Sequence, residues 1–189
     1  LNAFRYTDFS YQAFIEAAKK EKYFANTIFI FIGDHGIRGN AGNMFPKAWT
    51  ENALTCFHVP LLFYAPGRLK AERHSMLSSQ VDVMPTIAGL AGIPYTNTTM
   101  GRDLLHLKDT TTNTVFLIDH DIRNIAILHG KYLFQRHLET KQEALVPIDN
   151  NEKIQTENSD ELTRYMRDLT IGFYENARYM LFNNAKARK

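Results

Sequence analysis

The chain has 189 residues, 44% of them hydrophobic and 22% charged, with a formal net charge of +2. That length buries one core, the composition is that of an ordinary globular protein, and so small a charge argues neither for nor against nucleic acid, so no nucleic-acid partner is read from it. The single cysteine, Cys56, excludes an internal disulfide while leaving the compartment open, and no apolar run approaches the ~20 residues that span a bilayer.

In chain order, Thr7 or Asp8 caps a predicted helix running to about Lys20, with Phe9, Ala13, Phe14, Ala17 and Ala18 at helical spacing. Lys19, Lys20 and Lys22 gather at its carboxyl end, where the helix dipole favours cations. Thr27-Ile28-Phe29-Ile30-Phe31-Ile32 follows as a run of β-branched and aromatic residues without polar alternation. It reads as a strand buried on both faces, the usual condition of a central parallel strand. The run ends in Gly33-Asp34-His35-Gly36, an acid and an imidazole between glycines. Past a strand end the alternation of faces is lifted, and both side chains can turn to one point above the sheet, where open α/β sheets place ligands. A carboxylate and a neutral imidazole suit Zn²⁺ or Mn²⁺. A capping Asp beside a loop His would give the same pair.

Residues 37–57 show no convincing period and read as a long loop carrying Arg38 and Lys47, two cations that suit a phosphate or sulfate, or that are simply solvated. Cys56 reads as a small apolar residue packed beside a strand. Val59–Tyr64 is a second predicted buried strand, with His58 at its beginning, either facing a site from its rim or satisfied structurally. After a polar, basic connection over 68–79, Asp82 reads as the cap of a short helix striped by Val83, Met84, Ile87, Leu90 and Ala91 and ended by Gly92.

The second half changes character. Thr114–Ile118, Asn124–Leu128, Lys131–Gln135 and Leu145–Ile148 are short β-prone runs, with a tight turn at His129-Gly130, and suggest a smaller antiparallel sheet. Asp119, His120 and Asp121 resemble a metal cluster in composition, yet neighbours on a strand end diverge. A final helix starts at Ser159 or Asp160 and packs through Leu162, Tyr165, Met166, Leu169, Phe173 and Met180, with a frayed tail from Asn183.

Three ordered stretches carry a family resemblance: Asn26–Gly36, His58-Val59-Pro60-Leu61-Leu62-Phe63-Tyr64-Ala65-Pro66-Gly67, and Gln80–Ile93 with Asp82-Val83-Met84-Pro85-Thr86. Together they resemble the alkaline phosphatase/sulfatase superfamily, most nearly the lipoteichoic acid synthase-like phosphoglycerol transferases. The resemblance implies an α/β fold: the carboxyl-terminal portion of an alkaline phosphatase-like layered sheet over residues 1–110, with antiparallel strands and a terminal packing helix over 111–189. It implies Asp34 and His35 as metal ligands for Mn²⁺ or Zn²⁺, with Mg²⁺ a third candidate, and Arg38, Lys47 and His58 as substrate-binding residues. No catalytic nucleophile is expected in this chain. The resemblance puts a threonine, serine or modified cysteine, with further acidic ligands, upstream of Leu1, and Cys56 lacks the Cys-x-Pro-x-Arg setting of sulfatases. Asp82 invites a catalytic reading there besides the cap.

The implied activity is transfer of phosphoglycerol from a lipid-borne phosphodiester at the extracytoplasmic face of a bacterial cytoplasmic membrane, as part of a longer chain. Sulfate-ester hydrolysis and a non-catalytic scaffold are the alternatives. The expected partner within the parent is its missing amino-terminal half; without it the chain is expected to be inactive and to self-associate through the sheet around Thr27–Ile32.

Overall fold

A computed structural model describes residues 2–107, 113–149 and 159–183. The chain divides into two units, Leu1–Ile37 with Cys56–His74, and Arg38–Thr55 with Ser75–Lys189.

The first unit is built on aromatic residues. Helix α1 (Asn2–Ala18) lies against two four-residue strands, β1 (Phe29–Ile32) and β2 (Leu61–Tyr64). Tyr11 meets Phe31 edge-on at 5.2 Å between ring centroids and Phe14 meets Phe29 at 5.9 Å, while Phe24 and Tyr64 close on the same Phe29. Phe29 is buried as a result. The strands pair antiparallel, Phe29 opposite Tyr64 and Ile32 opposite Leu61. This corrects the expectation of buried strands, the first of them central and parallel: only Phe29 of β1 and no residue of β2 is buried, Ile32 and Leu62 are exposed, and an apolar run does not specify the direction of the neighbour. α1 also begins at Asn2 rather than at Thr7 or Asp8, whose neighbourhood is ordinary helix interior; the Thr7 hydroxyl donates back to the Ala3 carbonyl at 3.1 Å.

The second unit holds a four-stranded antiparallel meander: β3 (Thr114–Asp119), β4 (Asn124–His129), β5 (Tyr132–His137) and β6 (Glu143–Pro147), in spatial order β3-β4-β5-β6. Both faces are covered. Leu128 and Leu133 are paired across strands and pack with Val115, Ala126, Leu54 and Ile148 on one side. Ile127 and Phe134, also paired, point the other way onto Met166 of α4 (Ser159–Asn183). Glu143 fastens that helix, accepting from Arg167 Nε at 2.8 Å and from Arg136 on the neighbouring strand. The predicted antiparallel extension and terminal helix are therefore present. The predicted fraying of residues beyond Asn183 lies outside the described residues.

Two shorter helices complete the unit, α2 (Lys47–Glu51), within the stretch read as loop, and α3 (Val83–Ala91). Gly92 ends α3 in the left-handed conformation, φ 64°, as a residue without a Cβ does most easily. Asp82 is not the side-chain cap of α3. It closes a capping box with Ser79 one turn earlier, and its buried carboxylate receives the Arg102 backbone N–H at 2.7 Å and the guanidinium at 3.0 Å. A carboxylate taken out of water is held by a cation and several donors, and Arg102 lies twenty residues on, beyond the reach of a local cap pattern. These ties make Asp82 structural.

Candidate metal centre

Where β1 ends, the backbone turns against the approach to β2. Gly33 donates to the Pro60 carbonyl at 3.1 Å, and a Cβ at Gly33 would sit 2.8 Å from Val59 Cβ, so glycine permits the close approach. Gly36 donates to the Cys56 carbonyl at 2.7 Å. Asp34 and His35 thus sit on a two-residue bridge latched at each end to the other arm of the same unit.

Each side chain is then fixed locally. Asp34 Oδ1 accepts the His35 backbone N–H at 2.9 Å. His35 Nδ1 lies 2.8 Å from the Gly36 carbonyl oxygen. A carbonyl can only accept, so Nδ1 carries the proton and Nε2 of the neutral ring presents a lone pair, the usual outer support of a metal-binding imidazole. Nε2 and Asp34 Oδ2 face each other at 3.5 Å, both largely exposed. That separation is close to the edge of a tetrahedron with bonds of ~2.0–2.2 Å, the range for zinc–nitrogen and zinc–oxygen. Two acceptor atoms so placed are satisfied together by a cation between them. The backbone N–H of His35 and the Asp34 N–H, with the adjacent imidazole, hold the Asp34 carboxyl below the usual carboxylate range, so it is ionised at neutral pH.

The donor set fits a borderline divalent cation but does not complete a site. Among the described residues no group of three or more His, Cys, Asp or Glu side chains is placed to hold a metal. Asp119, His120 and Asp121 make no such group: the Asp119 carboxylate accepts from the Asp121 N–H at 3.1 Å and from Arg38 Nη2 at 2.8 Å, closing its own turn.

The other predicted site residues are placed as follows. His58 is exposed in the first unit, two residues before the Pro60 carbonyl that receives Gly33. Arg38 and Lys47 belong to the second unit, and each is engaged there, Arg38 with Asp119 and Lys47 with Glu51 at 2.8 Å. Reading the sequence missed the backbone groups that shape the bridge, the Gly36, Cys56 and Pro60 carbonyls. Only the two glycines signalled them.

Residues 1–93 match the family model described as Sulfatase. The matched segment contains the whole Asp34–His35 bridge and its latches. Arylsulfatase K of Canis lupus familiaris is 30% identical over 63% of this chain and 21% of its own length. Lipoteichoic acid synthase of Staphylococcus aureus (strain USA300) is 25% identical over 96% of the chain and 29% of its own length. The chain therefore spans under a third of either relative. A solved 2-O GAG sulfatase superposes with a TM-score of 0.60 over 89% of this chain and 40% of its own, at 18% identity. The alkaline phosphatase-like α/β fold is thereby shared.

Proposed function

We propose that this chain is the carboxyl-terminal part of a metal-dependent sulfatase-family enzyme that transfers phosphoglycerol from a lipid-borne phosphodiester at the extracytoplasmic face of a bacterial cytoplasmic membrane. The observation that carries the metal half of this reading is the 3.5 Å juxtaposition of Asp34 Oδ2 and His35 Nε2, with Nδ1 held by Gly36. Asp34 and His35 would hold Mn²⁺ or Zn²⁺, or Mg²⁺, together with ligands from the rest of the parent protein. A cation there supplies charge stabilisation on the transferred group and a lowered pKa for an attacking hydroxyl. His58 contacts the substrate from the rim in this reading; Arg38 and Lys47, the other two proposed substrate-binding residues, are held in the second unit by Asp119 and Glu51. The likeness to lipoteichoic acid synthase along 96% of the chain supports transfer. The higher identity to arylsulfatase K favours a second reading, hydrolysis of a sulfate ester.

The test uses the complete parent enzyme. Asp34→Ala and His35→Ala should each abolish tight Mn²⁺ or Zn²⁺ binding in calorimetric titration while leaving the melting temperature nearly unmoved. Unchanged affinity in both variants would remove the metal assignment. Metal-dependent turnover of a chromogenic phosphodiester over an aryl sulfate supports transfer, and the reverse preference supports the sulfatase reading. The 189-residue chain alone should turn over neither.

A further inference from the structure

Two glycines beyond the bridge stand in open space: a Cβ at Gly39 or Gly42 would meet nothing within 4 Å. Gly33 is different. A Cβ there would lie 2.8 Å from Val59 Cβ, 3.1 Å from Val59 Cγ1 and 3.4 Å from Pro60 Cδ, and the Gly33 backbone is not in the left-handed region that favours glycine. Glycine therefore serves here for space and not for conformation. Rotation about χ1 can swing Val59 Cγ1 away, but Cβ is fixed to the backbone, so the whole arm over 56–60 would have to move. That arm is stiff, because Pro60 has a fixed φ and restricts Val59 before it to extended conformations.

We propose that Val59 is a positioning residue for the Asp34–His35 pair, the stop against which Gly33 rests and which sets where the carboxylate stands relative to the imidazole. This rests on the metal reading of the pair and adds the residue that spaces its two ligands. All of these residues belong to the first unit. Gly33 directly precedes Asp34 and donates to the Pro60 carbonyl at 3.1 Å, while Gly36, following His35, donates to the Cys56 carbonyl at 2.7 Å. The two ends of the bridge are thus anchored at different points on the second arm. A displacement at residue 33 is carried into Asp34 first and leaves His35, with Nδ1 on the Gly36 carbonyl, in place. Carbon atoms in contact prefer about 3.5–4.0 Å, so an added Cβ would part the arms by about 0.7 Å. A binding constellation has to be held to within about 0.5 Å. The change falls on the 3.5 Å separation of Asp34 Oδ2 and His35 Nε2. Val59 is not itself a ligand; it acts through the backbone of Gly33.

The test moves one carbon from arm to arm in the complete parent enzyme. Gly33→Ala should weaken Mn²⁺ or Zn²⁺ binding in calorimetric titration about tenfold or more, the scale of a lost supporting contact at a metal site. Adding Val59→Gly to that variant should recover most of the loss. Hydrogen exchange, read without metal, should quicken at residue 33 in Gly33→Ala, stay slow at Gly36, and slow again at residue 33 in the double variant. The ring-nitrogen resonances of His35 should report the Nδ1–H tautomer in wild type and both variants, which an unfolded bridge would not preserve. Exchange or affinity unchanged in Gly33→Ala, a double variant no better than the single one, or loss of that tautomer in Gly33→Ala overturns the proposal. A wild-type enzyme that binds no cation removes the metal reading instead, and the exchange measurements still decide whether Val59 positions the bridge.

Discussion

At the scale of single residues, the geometry around β1 separates side chains that report on folding from those that report on chemistry. Asp34, His35 and His58 are exposed, whereas Gly33 sits where any Cβ would press on Val59. His58→Ala in the complete enzyme should lower turnover of its ester substrate tenfold or more, about 1.4 kcal/mol of transition-state stabilisation, with the melting temperature nearly unchanged. A marked fall in melting temperature at normal specific activity would make His58 structural. Asp82 is the opposite case. Its burial and its ties to Ser79 and Arg102 account for it fully, so a carboxylate inside a family-like motif is here part of the frame.

Among the elements, one carboxylate ties α4 to the meander beside their apolar contacts. Arg167 first, and Arg136 with it, hold the Glu143 carboxyl below its ordinary range, burial opposing them. A carboxyl with a depressed folded-state pKa stabilises the fold fully above its unfolded-state value, near 4.3, and that contribution is lost as pH falls through the lower folded-state value. Stability should therefore decline as pH drops below about 5, and Glu143→Gln should flatten that decline in chemical-denaturation series. At neutral pH the same variant should cost about 2 kcal/mol, the scale of hydrogen bonds to a charged group. A variant as acid-sensitive as the wild type would place the decisive carboxylate elsewhere.

For the molecule as a whole, the meander unit has the better-defined core. Phe134 and Ile127 are fully buried against Met166, and on the opposite face Leu133 and Leu128 pack with Leu54. Phe134→Ala should destabilise this unit by about 3–5 kcal/mol, read as a lower denaturation midpoint by far-ultraviolet circular dichroism. A change below about 1 kcal/mol would mean that the facing side chains collapse into the space. The first unit depends instead on ring contacts around Phe29 and Phe31, with Phe14 and Tyr11 of α1 meeting one each.

How much of this was written in the chain follows the range of the interactions. Elements whose cause is local were legible: α4 from its apolar stripe, the four short strands from their β-branched and aromatic runs, the end of α3 from Gly92, and the Asp34–His35 pair from the glycines around it. The antiparallel partner of β1, the engagement of Asp82 by Arg102, the pairing of Arg38 with Asp119 and the carbonyls that latch the Asp34–His35 bridge were decided by tertiary structure alone. The physical reason is common to them. Periodicity encodes which faces are buried, through interactions spanning a few residues. The direction of a neighbouring strand and the partner of a charge depend instead on contacts between residues twenty to eighty positions apart, which leave no periodic trace in the sequence.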